Sequence, residues 1–340
     1  MSPIGVTLAA QASQIRRLTG DLGRPVDVAT LGILDRRGLL PLQPPGLISP
    51  NRACRMFGCA DDWMALNLAR DDDRDLVAAW LKCDVAEDPW ETIERAAKSR
   101  PAAELLADAV MLGLPAGRVG EITWPNPKAP LAMGTPKQWR QAGPPRVIDL
   151  SALWAGPMCG AILAEAGFEV TKVESTRRPD PTRGGTPVFF QRLNGRKRDL
   201  PLDLGAAEGQ GRLRDLIHGA DILITSARPR AFASLGLSPD EIFKTNPALT
   251  WVAITGYGWS GEAAARVAFG DDAAAAGGLV RWTKAGAPRF LGDALADPVT
   301  GLAAALGALR GYAAGGGVLV DVSLARSAAG AAADRTAHVL

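Results

Sequence analysis

The sequence predicts a doubly wound, Rossmann-like α/β domain with a parallel sheet, preceded by a smaller α-rich domain. Three observations carry that reading. From residue 146 onward the chain holds the short runs "RVIDL", "EVTKVE", "DILITS", "LTWVAIT" and "GVLVDVSL", all rich in Val, Ile and Leu. Helical patterns such as "GPMCGAILAEAG" and "GQGRLRDLIHGA" separate the first four. Apolar strands alternating with helices form parallel sheets covered on both faces, joined by right-handed crossovers. The third observation is a break: residues 126–145 are rich in Pro, Gly and charge without periodicity, as an interdomain linker is. The expected division is therefore 1–125, a linker at 126–145, and 146–340.

In the first part, "DDWMALNLA" reads as a short strand, and "RDLVAAWLK", "PWETIERAAKS" and "PAAELLADAVMLG" read as helices. Asp88 before Pro89, and Ser99 near Pro101, are expected helix starts. At 340 residues, two domains with substantial cores are expected.

Charge narrows the partners. The 38 basic side chains nearly balance the 36 acidic ones, for a formal charge of +2, so no one-sided field draws in nucleic acid or an anionic membrane. The four cysteines, Cys54, Cys59, Cys83 and Cys159, are too few and too irregular for a disulfide framework. Neither His218 nor His338 lies near a cysteine in sequence, so no metal is expected. The N-terminus lacks a basic start followed by a long apolar run, and the alanine-rich tract near 300 is broken by Asp297, Pro298 and Arg310. A cytoplasmic protein with no membrane contact is the expectation.

Within "VIDLSALWAGPMCGAILAEAGFEVTKVES", a strand leads through a loop into a helix and then a second strand. Gly156 and Gly160 bracket the helix start, whose free N–H groups suit an anion. Glu174 closes the second strand, where a dinucleotide fold places its ribose-binding acid. The spacing A-G-P-M-C-G is not G-x-G-x-x-G, however, which argues against nicotinamide or flavin. Close packing alone would also explain the glycines. Downstream, Arg183, Arg192, Arg196, Lys197 and Arg198 form either a solvated basic face or a site for a ligand with several phosphates. Composition does not separate coenzyme A from a nucleotide.

Six segments in register resemble the family III coenzyme A transferases (CaiB/BaiF type), the group that includes formyl-CoA and carnitine-CoA transferases. They are "VIDLSALWAGPMCGAILAEAGFEVTKVE", "NGRKRDLPLDL", "ADILITSARPRAFASLGLSPDEI", "NPALTWVAITGYGWSG", "ADPVTGLAAALGAL" and "GGGVLVDVSL", spread over about residues 146–325. The resemblance implies coenzyme A as substrate, without a metal, together with acyl-CoA and carboxylate partners. It also implies a homodimer, or an assembly with a second, different subunit. The implied coenzyme A contacts are Trp154 and Ala155 in the first loop and Ser175 at the second strand's end. They continue with Asp203, Leu204 and Gly205 in the "LDL" turn, Ser226, Ala227 and Arg228 after "DILIT", and Phe269 with Gly270. Ser226 stands where the family pattern has asparagine. The part before residue 125 weakly resembles the portion that family members carry after the last strand, so a rearranged member is expected.

That resemblance gives a reading of "LGDALADPVTGLAAALGAL", in which Asp293 and Asp297 interrupt an apolar run. By spacing alone, Asp297 before Pro298 is an ordinary helix cap. The family nucleophile is an aspartate with glycine four residues on and an apolar helix behind, which Asp297 and Gly301 match and Asp293 does not. Asp297 would attack a thioester, forming a mixed anhydride and then an aspartyl-CoA thioester. Asp293 is expected to be structural. Two other functions compete: a non-catalytic coenzyme A-binding partner subunit, and a 2-methylacyl-CoA racemase, whose histidine would fall where this chain has Asp271 and Asp272.

Overall fold

A computed structural model describes residues 3–85, 88–123, 129–138 and 143–337. These form two compact units built from separated segments, one from 1–39, 126–255 and 298–322, the other from 40–125, 256–297 and 323–340. The units are thus interleaved along the chain rather than consecutive.

The unit containing residues 40–125 is built on an antiparallel sheet of β1 (Cys54–Gly58), β2 (Trp63–Asn67) and β3 (Ala116–Arg118). Of these, β2 alone was legible as a strand. "CRMFG" mixes charged and apolar residues, and "AGR" is too short to show a period. Helices Asp71–Asp75, Val77–Leu81, Trp90–Ala97 and Ala102–Leu112 follow the expected pattern, with the first expected helix divided at Leu76. Met64, Leu66, Trp80, Ile93 and Leu105 are fully buried in the core they share with the sheet. The Trp80 indole N–H, costly to bury unpaired, donates to Leu105 O at 2.9 Å. Asp88 accepts from Trp90 N at 3.2 Å, as a helix start does. Ser99 does not open a helix: its hydroxyl donates back to Ala96 O at 3.3 Å, and the next helix gives its Ala102 N–H to Asp61.

The other unit is the doubly wound domain. Its strands are β4 (Leu131–Ala132), β5 (Arg146–Leu150), β6 (Glu169–Ser175), β7 (Arg198–Leu202), β8 (Ile222–Thr225), β9 (Thr250–Thr255) and β10 (Val318–Ser323), in the order β4-β10-β9-β8-β5-β6-β7. Pairs β5–β6, β5–β8, β6–β7 and β8–β9 are parallel, and β4 is antiparallel to β10. Two edge strands were not evident in sequence. β7 contains Pro201, which an edge strand tolerates because one side of it makes no ladder bonds. β4 falls inside the expected linker, of which residues 124–128 and 139–142 lie outside the described residues. Helix Pro3–Asp21, whose apolar and polar residues are poorly segregated, also belongs to this unit. Among the described residues, no helix is long and apolar enough to cross a membrane.

Candidate active site

Strand order reverses between β5 and β8, and open parallel sheets bind ligands outside the strand ends at such a point. The loops after both strands meet there: Ser226 Oγ accepts from Ala152 N at 3.0 Å. Ser175 ends β6, and Asp203, Leu204 and Gly205 form the turn after β7. Seven of the expected contact residues, Ser175, Asp203, Leu204, Gly205, Ser226, Ala227 and Arg228, therefore lie at the same end of one sheet. Asp203 is held by Arg177 at 3.0 Å and by Gly205 N at 2.9 Å, and the guanidinium keeps its carboxyl below the usual range. Ala155 opens helix Ala155–Glu165. Trp154 is buried, with its indole N–H on Ile33 O at 2.9 Å and its ring edge-on to Phe189, so what it offers a ligand is backbone.

The loop before that helix is strained. Leu153 has φ 71°, left-handed backbone that a residue with a Cβ rarely adopts. Its N–H faces the buried Asp180 carboxylate at 3.2 Å. Asp180 in turn takes Lys172 Nζ at 3.2 Å, and the same ammonium donates to Ser151 O at 2.7 Å. A buried charge network thus fixes the turn.

Much of the basic run is already committed. Lys197 is buried and bonded to Asp149, Pro157 O and Asn194 at 2.7–2.8 Å. Burial pushes the Asp149 carboxyl up, but the Lys197 and Lys172 ammonium groups hold it below its ordinary value; burial pulls Lys197 down against the pull of Asp149. Gly160 exists for this pair, since a Cβ there would lie 2.7 Å from Asp149 Oδ2 and 2.9 Å from Lys197 Nζ. Arg183 pairs with Glu174 and Asp199, and Arg196 with Glu165, each at 2.9 Å. Arg192 donates to Gly32 O. Glu174 is buried beside Arg183 and Asp180 N, not presented to a ribose. Of these five side chains only Lys197 is buried; Arg183, Arg192, Arg196 and Arg198 are exposed, the first three with partners within the chain.

In the other unit, Asp297 is the second residue of helix Ala296–Ala313 and partly exposed. Its N–H donates to Ala294 O at 2.9 Å, closing a turn in which Ala294 has φ 45°. The Ala294 N–H donates to Asp271 Oδ1 at 2.7 Å. Asn51 completes the arrangement. Its Nδ2 donates to Asp271 Oδ2 at 2.7 Å and to Asp293 Oδ1 at 2.8 Å, while its Oδ1 accepts from Ser49 Oγ and Ala53 N at 2.9 Å, which fixes the amide orientation. Gly270 brings Asp297 close: a Cβ there would collide with Asp297 Oδ2 and stand 2.7 Å from Ala294 Cβ. Two of the expected site residues, Gly270 and Asp297, are therefore in direct contact. Gly301 has a packing reason, since a Cβ would meet Met158 Sδ at 2.8 Å. Asp293, expected to be structural, accepts from Asn51 Nδ2.

Asp271 is bound on both oxygens, which disfavours it as a mobile acid–base group. Its neighbour Asp272 is buried, accepts from Phe269 N at 2.9 Å, and makes no well-formed hydrogen bond through Oδ2, although Asn67 favours its charged form. Burial, reinforced by Asp271, raises its pKa to about 8. Sequence reasoning missed Asn51 altogether. It lies 242 positions from Asp293, and no local pattern encodes such a bond.

Comparison with known proteins bears on the same stretch of chain. The model of CoA-transferase family III matches residues 145–339. An acyl-CoA transferase of Fusarium pseudograminearum is 36% identical over 200 residues, 53% of this chain and 44% of that protein. A succinyl-CoA–D-citramalate CoA-transferase of Chloroflexus aurantiacus is 31% identical over 192 residues, 53% of this chain and 48% of that one. The chain spans about half the length of these relatives. A CaiB/BaiF family structure from Brucella suis aligns with a TM-score of 0.52 and 27% identity over 57% of this chain and 56% of that one. A structure from Mycobacterium tuberculosis gives 0.53 and 28% over 57% and 58%. The reversal point in the sheet, the motif at Asp297 and a family match over more than half the residues agree, and the chain belongs to CoA-transferase family III.

Proposed function

We propose that the protein transfers coenzyme A from an acyl-CoA donor to a carboxylic acid acceptor, with Asp297 as the covalent nucleophile. The observation that carries this is the acid turn: a partly exposed carboxylate at a helix start, set over a residue with no side chain and held by a turn in which Ala294 takes left-handed backbone. The helix N-terminus favours the anion, and its free N–H groups are suited to a developing oxyanion.

An Asp297 carboxylate oxygen attacks the thioester carbonyl, the C–S bond breaks, and the thiolate of coenzyme A leaves a mixed anhydride. The thiolate attacks the aspartyl carbonyl, expelling the donor acid and leaving an aspartyl-CoA thioester. The acceptor carboxylate opens that thioester to a second anhydride. The returning thiolate takes the acceptor's acyl group and frees Asp297. Electrons and protons balance without an external acid or base.

Coenzyme A is assigned to the strand-end loops at Trp154 and Ala155, Ser175, Asp203 to Gly205, and Ser226 to Arg228, and the resemblance adds Phe269 and Gly270. The homodimer implied by the family is part of this reading. Because relatives are named for succinyl-CoA with citramalate, glutarate or malate, an activity panel starts from succinyl-CoA with those acids. Transfer to any acceptor, lost in Asp297→Asn, supports the assignment. Coenzyme A binding with no turnover on the panel would instead favour a non-catalytic subunit.

A further inference from the structure

Building on Asp297 as nucleophile, we infer that a groove in the unit of residues 40–125 and 256–297 receives the distal carboxylate of a dicarboxylic substrate, through Arg52 and Arg289. The groove measures about 460 Å³ and is lined by Gln43, Leu47, Ile48, Ser49, Arg52 and Arg289 with two further residues. That volume suits a small organic acid.

Its wall is firmly built. Leu47 O accepts from Met56 N at 2.8 Å, Ser49 N donates to Cys54 O at 2.9 Å, and Gly46 O accepts from Phe290 N at 2.9 Å. The segment from Gly46 to Arg52 is thereby tied to β1 on one side and to strand Pro288–Phe290 on the other. Arg52 has φ 68°, with its N–H on Ser49 O at 2.8 Å. A left-handed residue with a Cβ is disfavoured, and here it fixes where the guanidinium leaves the backbone.

The charges in this wall lack a carboxylate partner, although Arg289 Nη1 donates to Pro288 O at 2.8 Å. Arg289 stands directly opposite Arg281 in the hairpin of Val280–Trp282 with Pro288–Phe290, and like charges directly opposite destabilise a strand pair. Among the described residues, neither Arg52 nor Arg289 makes an ion pair with a carboxylate. Two guanidinium groups lining one groove, with the Ser49 and Gln43 side chains beside them, present donors suited to a planar carboxylate.

The same segments build the acid turn, which argues for a substrate carboxylate over a phosphate of coenzyme A. Asn51, next to Arg52, bonds Asp293, and Arg289 is four residues before Asp293. The reacting carboxylate of a substrate is consumed at Asp297, so a permanent pair of cations fits the carboxylate that does not react.

The test uses the full chain carrying Asp297→Asn, which holds ligands without turning them over. Calorimetry at fixed ionic strength compares glutarate, butyrate, inorganic phosphate and adenosine 3′,5′-bisphosphate. Glutarate should bind at least tenfold tighter than butyrate, and Arg52→Gln or Arg289→Gln, each added to this background, should remove at least tenfold of that affinity. Arg→Lys at either position should recover part of it. Equal binding of glutarate and butyrate, or glutarate binding unchanged by both Gln variants, overturns the proposal. So does phosphate or the bisphosphate competing more strongly than glutarate. An error in the Asp297 assignment looks different: Asp297→Asn then turns over, while arginine-dependent glutarate binding persists.

Discussion

Leu153 and Ala294 both carry a Cβ through left-handed backbone, and each gives its N–H to a buried aspartate, Asp180 in the sheet unit and Asp271 in the other. The two clamps differ in what backs them. Asp180 is backed by the buried ammonium of Lys172 and belongs to a charged network that continues through Glu174 to Arg183. Asp271 is backed by the neutral amide of Asn51, which also spans to Asp293. The strand-end loop is thus locked by ion pairs, and the turn that presents Asp297 by an amide 220 positions away from the aspartate it holds. Damage to the first should appear in binding and in acid stability. Damage to the second should appear in the chemical step.

The largest break in this comparison lies at Asp297. Asp297→Asn keeps the shape but removes the anion, so transfer should fall by about 10³-fold or more while stability changes by no more than about 1 kcal/mol. Normal turnover with a lowered Tm would reduce Asp297 to a helix residue. Gly270→Ala is next. The added methyl must displace Asp297 or Ala294, and kcat should drop about 100-fold, as misplacement by about 1 Å can do. Coenzyme A affinity measured by calorimetry should fall by much less than kcat, although Gly270 is also assigned to that ligand; a loss confined to affinity would contradict the reading of the turn.

Asn51→Ala and Ser226→Ala form a matched pair. Without the amide, Asp271 and Asp293 lose their shared donor, and kcat should fall about tenfold with little change in the KM for acyl-CoA, an effect of about 1.4 kcal/mol. Removing the exposed Ser226 hydroxyl frees Ala152 N, and the Kd for coenzyme A should rise about fivefold with kcat within about twofold. If both variants changed the same kinetic constant, the division of labour would be wrong.

The last contrast is in pH dependence, and it has opposite signs in the two units. Asp149 is held below its ordinary range, so its contribution to stability is present above the unfolded-state value and is lost as pH falls through its lower folded value. Asp272 is raised to about 8, so its contribution is fullest below the ordinary carboxyl value and declines as pH rises toward 8. Asp272→Asn should therefore flatten the decline in Tm between pH 5 and 8 without altering the acid limb. A decline as steep as in the parent protein would show that Asp272 is ionised throughout.

The parallel strands were legible because a sheet covered on both faces writes itself as uninterrupted Val, Ile and Leu. β7 was not, because an edge strand shares its face with solvent and carries Arg198, Asp199 and Pro201. At the candidate site, Asp297 was legible as a position in a motif, and Gly270 through the same resemblance. Its support was not. Asn51 and Asp271 act by closing contacts across most of the chain, and Lys197 looked like a surface cation until its buried partner Asp149 came into view. Local pattern reports which face a residue takes, while an ion pair or clamp depends on which strands end up side by side.

The claim that Asp297 carries covalent chemistry is tested most directly by trapping. The protein is incubated with succinyl-CoA, treated with hydroxylamine or borohydride, digested and read by peptide mass. The account predicts a modification at Asp297 alone, absent from Asp297→Asn and still present in Asp293→Asn. A modification at Asp271 or Asp293, or none from an acyl-CoA that the protein demonstrably turns over, would contradict it.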